Sequence, residues 1–203
     1  MLSKKERPGF YLVLATAFIS GFSIFINKIG VKGIDPFVFT GSKNFLVAVL
    51  LFLAILVTGK IKTLKKLSAK NWLTLVMIGL FGGGLPFLLF FKGLTLTSAA
   101  QASFIHKNMF LLVAPLALVI LKERLSKKFL TAALLLVFGN LFFFRLFDFK
   151  FGRGDLMIFL AVALWAMENI IAKKVLKTLS ATLVAFGRMF FGTIIISLFL
   201  ILN

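Results

Sequence analysis

The sequence predicts an all-α polytopic membrane protein with seven transmembrane helices. Three observations carry this. The chain is 61% hydrophobic, with 27 phenylalanines; a soluble domain holds about 45–50% apolar residues, and a 203-residue core cannot absorb the excess. Lipid must be the solvent. Apolar runs of membrane length, about 17–25 residues, recur at 9–29, 36–58, 72–92, 98–121, 129–147, 155–173 and 181–202. The basic residues lie almost entirely between those runs, with short connections as in a compact helical bundle.

The same composition excludes several function classes. A net charge of +18 would point to nucleic acid in a soluble protein. Here the charges flank apolar spans and follow the positive-inside pattern, so no nucleic-acid partner is expected. The absence of cysteine rules out disulfides and thiolate metal sites. A single histidine rules out a multi-histidine metal site. No metal and no cofactor is expected, and an intramembrane enzyme is disfavoured for want of paired carboxylates or a Gly-x-Ser-x-Gly elbow.

Taken in order, the tail Met1–Phe10 carries Lys4, Lys5 and Arg7 before the first run. This first run is long and ends at Asn27-Lys28 without a small-residue cleavage site, so it reads as a retained span and not a signal peptide. The second opens on Asp35-Pro36 and carries Lys43. The third holds Gly79, Gly82, Gly83, Gly84 and Pro86. Gly79 and Gly83 form a small-xxx-small pair, Pro86 frees a carbonyl about one turn earlier, and together they suggest a hinge or packing seam against the fourth span. These glycines are no phosphate loop, because no Gly-Lys-Ser/Thr follows. The fourth span lies within Ser98–Lys128, the stretch around which the chain reads as organised: a small-residue entry with Ser103, then His106 and Lys107 inside the apolar run, then Leu121-Lys-Glu-Arg-Leu125. The fifth leads through Asp148 and Asp155 to the sixth, which carries Trp165, Glu168 and Asn169. The seventh carries Arg188.

Fifteen lysines and arginines fall on one side of these spans, in the tail, the 59–70 connection, the 122–128 connection and the 173–177 connection, against six on the other. That excess places the N-terminus in the cytoplasm of a multi-pass protein of the cell membrane. Asp35, Asp148 and Asp155 then lie at the outer ends as caps or loop charges, and Glu123 reads as an interfacial ion-pair partner for a neighbouring helix.

A shift of 145 residues superposes Lys28 on Lys173, Lys43 on Arg188 and Phe45 on Phe190. Five spans, an odd number, separate equivalent points. The second copy therefore crosses the membrane in the opposite sense, the inverted-repeat construction of secondary transporters. Residues 1–150 read as one five-helix repeat, and 151–203 as the first two helices of a second, inverted repeat.

The motifs also carry a resemblance. Asn27-Lys28, Asp35-Pro36, Gly79-Leu-Phe-Gly-Gly-Gly84, Ser98-Ala-Ala-Gln-Ala102 and Leu121-Lys-Glu-Arg-Leu125, followed by Gly154-Asp155, Leu164-Trp165-Ala166, Lys173 and Gly187-Arg188, resemble the EamA-type transporters of the drug/metabolite transporter superfamily. Lys43 stands where many members carry arginine, and Pro115 lies later than the usual mid-helix proline near Asn108. The resemblance implies ten helices in two inverted halves, the first four of each around a central substrate path, and so three further spans after Asn203.

Ionisable groups inside a span cost about 2.5–3.5 kcal/mol on insertion scales and are functional candidates by default. The substrate-path candidates are Lys43, Ser103, His106, Lys107, Trp165, Glu168, Asn169 and Arg188; Gly79, Gly83 and Pro86 are hinge or packing candidates. His106 is a proton relay or a histidine bonded to a neighbouring carbonyl. Lys43 and Arg188 bind an anion or fix helices. Trp165, Glu168 and Asn169 share one helix face, with Glu168 a proton-coupling carboxylate or the partner of Lys107 or Arg188. Three cations against one carboxylate favour an anionic or zwitterionic solute. The expected function is a secondary transporter of a small metabolite or drug-like solute. The alternative is a non-transporting scaffold or assembly subunit completed by a partner, a homodimer being one route.

Overall fold

The computed structural model describes residues 7–145 and 150–203, the side chains of 143–145 excepted. Lys4 and Lys5, Asp148 and the end of the fifth predicted span therefore lie outside the described residues. Everything described is helix or short connection: α1 (Arg7–Gly30), α2 (Pro36–Val57), α3 (Ile61–Lys65), α4 (Ala69–Ile78), a π-helical turn (Gly79–Gly84), α5 (Leu85–Leu96), α6 (Ala99–Lys107), α7 (Phe110–Ile120), α8 (Lys127–Arg145), α9 (Arg153–Val175) and α10 (Ala181–Leu202). No strand occurs among the described residues.

Six of these segments are long and apolar enough to cross a membrane: α1, α2, α4 through α5 as Ala69–Leu96, α6 through α7 as Ala99–Ile120, α9 and α10. The expected fifth span corresponds to α8. At 1.5 Å per residue the 24 residues of α1 reach about 36 Å, enough for a hydrocarbon core of about 30 Å. Phe18, Phe22, Phe25 and Ile26 point outward from it, an apolar face of the kind that marks a surface for lipid or for a packed protein neighbour.

Local chemistry sets the ends. Asp35 caps α2 by accepting from Phe37 N and Val38 N at 2.8 and 3.0 Å, with Pro36 in the first turn where its missing N–H costs nothing. Ser68 accepts from Asn71 N, and Ser98 from Gln101 N, to open α4 and α6. Gly59 turns the chain into α3 at φ 68°, a conformation that disfavours other residues.

The packing centre is Ala69–Leu96 and not the Ser98–Lys128 stretch. Half of the central window of that third span is buried, against 6% for the fourth. The reason is the glycines. A Cβ on Gly83 would strike the Arg188 carbonyl oxygen and the Gly192 backbone, and one on Gly84 would meet Ile195 at 2.8 Å. The seam predicted against the fourth span therefore lies against α10. At the other end Gly93 and Gly154 bring α5 and α9 into backbone contact. Phe91, Leu94, Ile158 and Ala161 fill the core there, while Leu75, Ile78 and Val184 fill a second cluster towards the basic side. The fourth span is interrupted at Asn108-Met109, where Asn108 Nδ2 turns back onto the Phe104 carbonyl at 2.7 Å.

Candidate functional site

Pro86 has no N–H to give to the turn before it. The π-helical turn that precedes it presents two carbonyls sideways, and neighbouring helices supply the donors. Trp165 Nε1 of α9 donates to Gly82 O at 2.9 Å, and Asn44 Nδ2 of α2 donates to Gly83 O at 2.8 Å. Both bonds are buried. They fix three helices around one irregular turn, a tolerated irregularity in a membrane because protein groups satisfy it.

Beside that turn lies a polar cavity of about 350 Å³. Lys43 from α2, His106 from α6, Trp165 and Asn169 from α9 and Arg188 from α10 all line it. The structure thus brings together five residues predicted from sequence on four separate helices. Lys43 Nζ donates to Asn27 Oδ1 at 3.2 Å and stands 4.5 Å from the centre of the Phe91 ring, a cation–π distance. The His106 ring meets Trp165 edge-on at 5.3 Å and Phe90 at 5.9 Å. Its buried Nδ1 has no partner here, so the carbonyl bond considered for it is not made.

Glu168 is 4% exposed and sits behind the lining, with its carboxylate 3.8 Å from Arg188 Nη1. Of the two partners considered for it, Arg188 is the one present. Lys107 turns away to α1, where its Nζ donates to Ser20 Oγ at 2.6 Å. The reason is helical geometry: His106 and Lys107 differ by about 100° around the axis, and His106 takes the inward direction. Ser103 is half-buried on α6 and is not among the lining residues.

Sequence reasoning missed Ser20, Ser23 and Asn27, which contribute the α1 wall, together with Phe87, Phe90 and Met109. The signal was present: Ser20, Ser23 and Asn27 are polar at helical spacing i, i+3, i+7 in an otherwise apolar span.

Two lysines lie at opposite ends of the bundle. Lys28 Nζ donates to Leu94 O at 2.6 Å and Thr97 O at 2.7 Å, closing the junction of α5 and α6. Thr97 Oγ1 donates in turn to buried Asp155 at 2.6 Å, and Asp155 also accepts from Gly152 N at 2.8 Å, so the predicted cap is also a cross-link between spans. At the other end Lys173 pairs with Glu123 at 2.7 Å, the interfacial ion pair expected of Glu123. That pair borders a vestibule of about 790 Å³ between α7, α8 and α9. The vestibule and the polar cavity share Met109 and Asn169, whose Sδ and Nδ2 stand 4.0 Å apart.

Residues 7–145 match the EamA-like transporter family. This chain belongs to that family. It is a multi-pass membrane protein of the drug/metabolite transporter type, and the family consists of transporters, not enzymes. Among its relatives, the uncharacterized transporter YyaM of Bacillus subtilis (strain 168) is 30% identical over 138 residues, which are 64% of this chain and 44% of that protein. The match thus spans less than half of the relative's length. No solved structure matches this EamA-like chain.

Proposed function

We propose that this EamA-like chain carries a small anionic or zwitterionic metabolite or drug-like solute through the Lys43–Arg188 cavity by alternating access, as a secondary transporter of the cell membrane with its N-terminus cytoplasmic. The observation that carries the reading is the cavity itself. A polar chamber with Lys43, His106 and Arg188 on its wall is expensive inside a membrane, and a scaffold has no use for it.

We infer with it an inverted repeat in which α8 is a seventh span, and the bounds of the helices support that inference. Shifted by 145 residues, α2 (Pro36–Val57) falls on α10 (Ala181–Leu202) end to end, each 22 residues long. The last residue of α1, Gly30, falls on Val175, the last of α9. The repeat-related Lys28 and Lys173 then clamp opposite ends of the bundle, Lys28 at the α5–α6 junction and Lys173 at Glu123 beyond α7. Breaking one clamp at a time is alternating access.

The chain contains no cysteine, so single-cysteine labelling tests this without knowing the solute. Ser23→Cys in sealed vesicles of either orientation should react with a membrane-impermeant thiol reagent added from either face. Reaction from one face only, or from neither, overturns the proposal.

A further inference from the structure

We propose that the solute of this cavity is an aromatic monocarboxylate, with Lys43 as the counter-ion of its carboxylate. This rests on the transporter reading above and narrows its solute class.

The charge balance of the wall points to an anion. Every carboxylate among the described residues is engaged away from Lys43. Asp35 caps α2, Glu123 is paired with Lys173, Asp155 is held by Thr97 and Gly152, and Glu168 faces Arg188. Arg188 therefore has a carboxylate 3.8 Å behind it, while Lys43 meets only an amide oxygen and the faces of the Phe39 and Phe91 rings. A single carboxylate entering beside Lys43 would remove an unpaired charge from low dielectric, and Ser20 and Ser23 add hydroxyl donors there. A zwitterion fits less well. Its ammonium group would share the chamber with Lys43 and Arg188, and the nearest carboxylate, Glu168, is buried and taken.

The rest of the wall points to a flat apolar body. Phe87, Phe90, Phe91, His106 and Trp165 supply five rings to one chamber. Trp165 meets Phe87 edge-on at 5.4 Å with interplanar angle 80°, and His106 edge-on at 88°. Perpendicular rings offer an incoming ring both a face and an edge, the arrangements aromatic pairs prefer. Ligand pockets of about 300–1,000 Å³ hold small organic molecules, and about 350 Å³ suits one ring with a short acid arm.

The test uses the chain's own reporter. It has two tryptophans, and a Trp72→Phe background leaves Trp165 as the only indole, on the cavity wall. Purified protein in nanodiscs is titrated with phenylacetate, phenylalanine and phenethylamine, following Trp165 emission. Phenylacetate should give a saturable change, phenylalanine a binding at least tenfold weaker, and phenethylamine none. Lys43→Gln should weaken phenylacetate at least tenfold, while Lys43→Arg restores it to within a few-fold. Should Lys43→Gln not fold, protection of Ser23→Cys from the thiol reagent by phenylacetate gives an independent readout. The carboxylate proposal falls on any of three results: equal or tighter binding of phenylalanine or phenethylamine, no binding of phenylacetate, or unchanged phenylacetate affinity in Lys43→Gln. Two-sided labelling of Ser23→Cys would still stand in each case, so failure of the solute class and failure of the transporter reading are told apart.

Discussion

Trp165 donates its indole N–H to the Gly82 carbonyl at 2.9 Å. That bond joins the two parts of the molecule that matter most, because Gly82 belongs to the π-helical turn that sets the packing of α10 and Trp165 is a wall of the cavity. A backbone irregularity and a binding chamber are therefore one construction. Trp165→Phe keeps a ring and removes the donor, leaving a buried carbonyl unsatisfied at a cost of about 1–3 kcal/mol. Thermal unfolding of the purified variant should show a lowered midpoint, and an unchanged midpoint would mean the bond is dispensable.

Gly83 and Gly139 provide a paired test of the α10 seam. A Cβ on Gly83 has nowhere to go, since the Arg188 carbonyl and Gly192 backbone occupy its position. Gly83→Ala should push α10 off the third span and cost about 1–3 kcal/mol or more, as overpacking does. Gly139 in α8 has nothing within 4 Å of its Cβ position. Gly139→Ala should be neutral or stabilising by up to about 1 kcal/mol. The two unfolding midpoints, measured side by side in the same detergent, check the contrast.

The Glu168–Arg188 pair should show as coupling. Glu168 is 4% exposed while Arg188 keeps a face on the cavity. Removing either charge alone strands the other in low dielectric. Glu168→Gln and Arg188→Gln should each destabilise, and the double variant should lose less than the sum, with a coupling of about 1–3 kcal/mol in a double-mutant cycle. Additivity would mean that the 3.8 Å pair contributes no interaction.

What was legible in the sequence follows from the range of the interactions involved. Spans come from hydropathy, which is local, and Asp35, Ser68 and Ser98 announce their caps within three residues. Lys43, His106, Trp165, Asn169 and Arg188 were legible because polar groups in apolar runs must face protein or water. The α1 stripe of Ser20, Ser23 and Asn27 was equally legible by spacing, but small uncharged residues are cheap in a span and draw less notice. Partners were legible only as alternatives or not at all. Arg188 stood beside Lys107 as a partner for Glu168, and the bond from Lys107 to Ser20 was not foreseen, because both depend on which helices are neighbours and sequence spacing does not give adjacency between spans. The π-helical turn was beyond reach for the same reason, since its two sideways carbonyls are stable only with Trp165 and Asn44 in place.

Glu123 and Lys173 make the sharpest kinetic prediction. Their side chains are 40% and 56% exposed, so the pair is worth at most about 1 kcal/mol, too little to matter for folding. At the mouth of a vestibule the same energy sets a population. Losing about 1 kcal/mol of closure shifts an open–closed equilibrium about fivefold. Ala114 lines the vestibule behind the pair and makes a small reporter site. An impermeant thiol reagent should therefore label Ala114→Cys about fivefold faster when Glu123→Gln is added, at an unchanged unfolding midpoint. Exchanging the charges, Glu123→Lys with Lys173→Glu, should return the rate towards that of Ala114→Cys alone, while either reversal by itself places like charges together and speeds labelling further. Equal labelling rates across the set would leave Glu123–Lys173 a surface pair with no hold on the entrance.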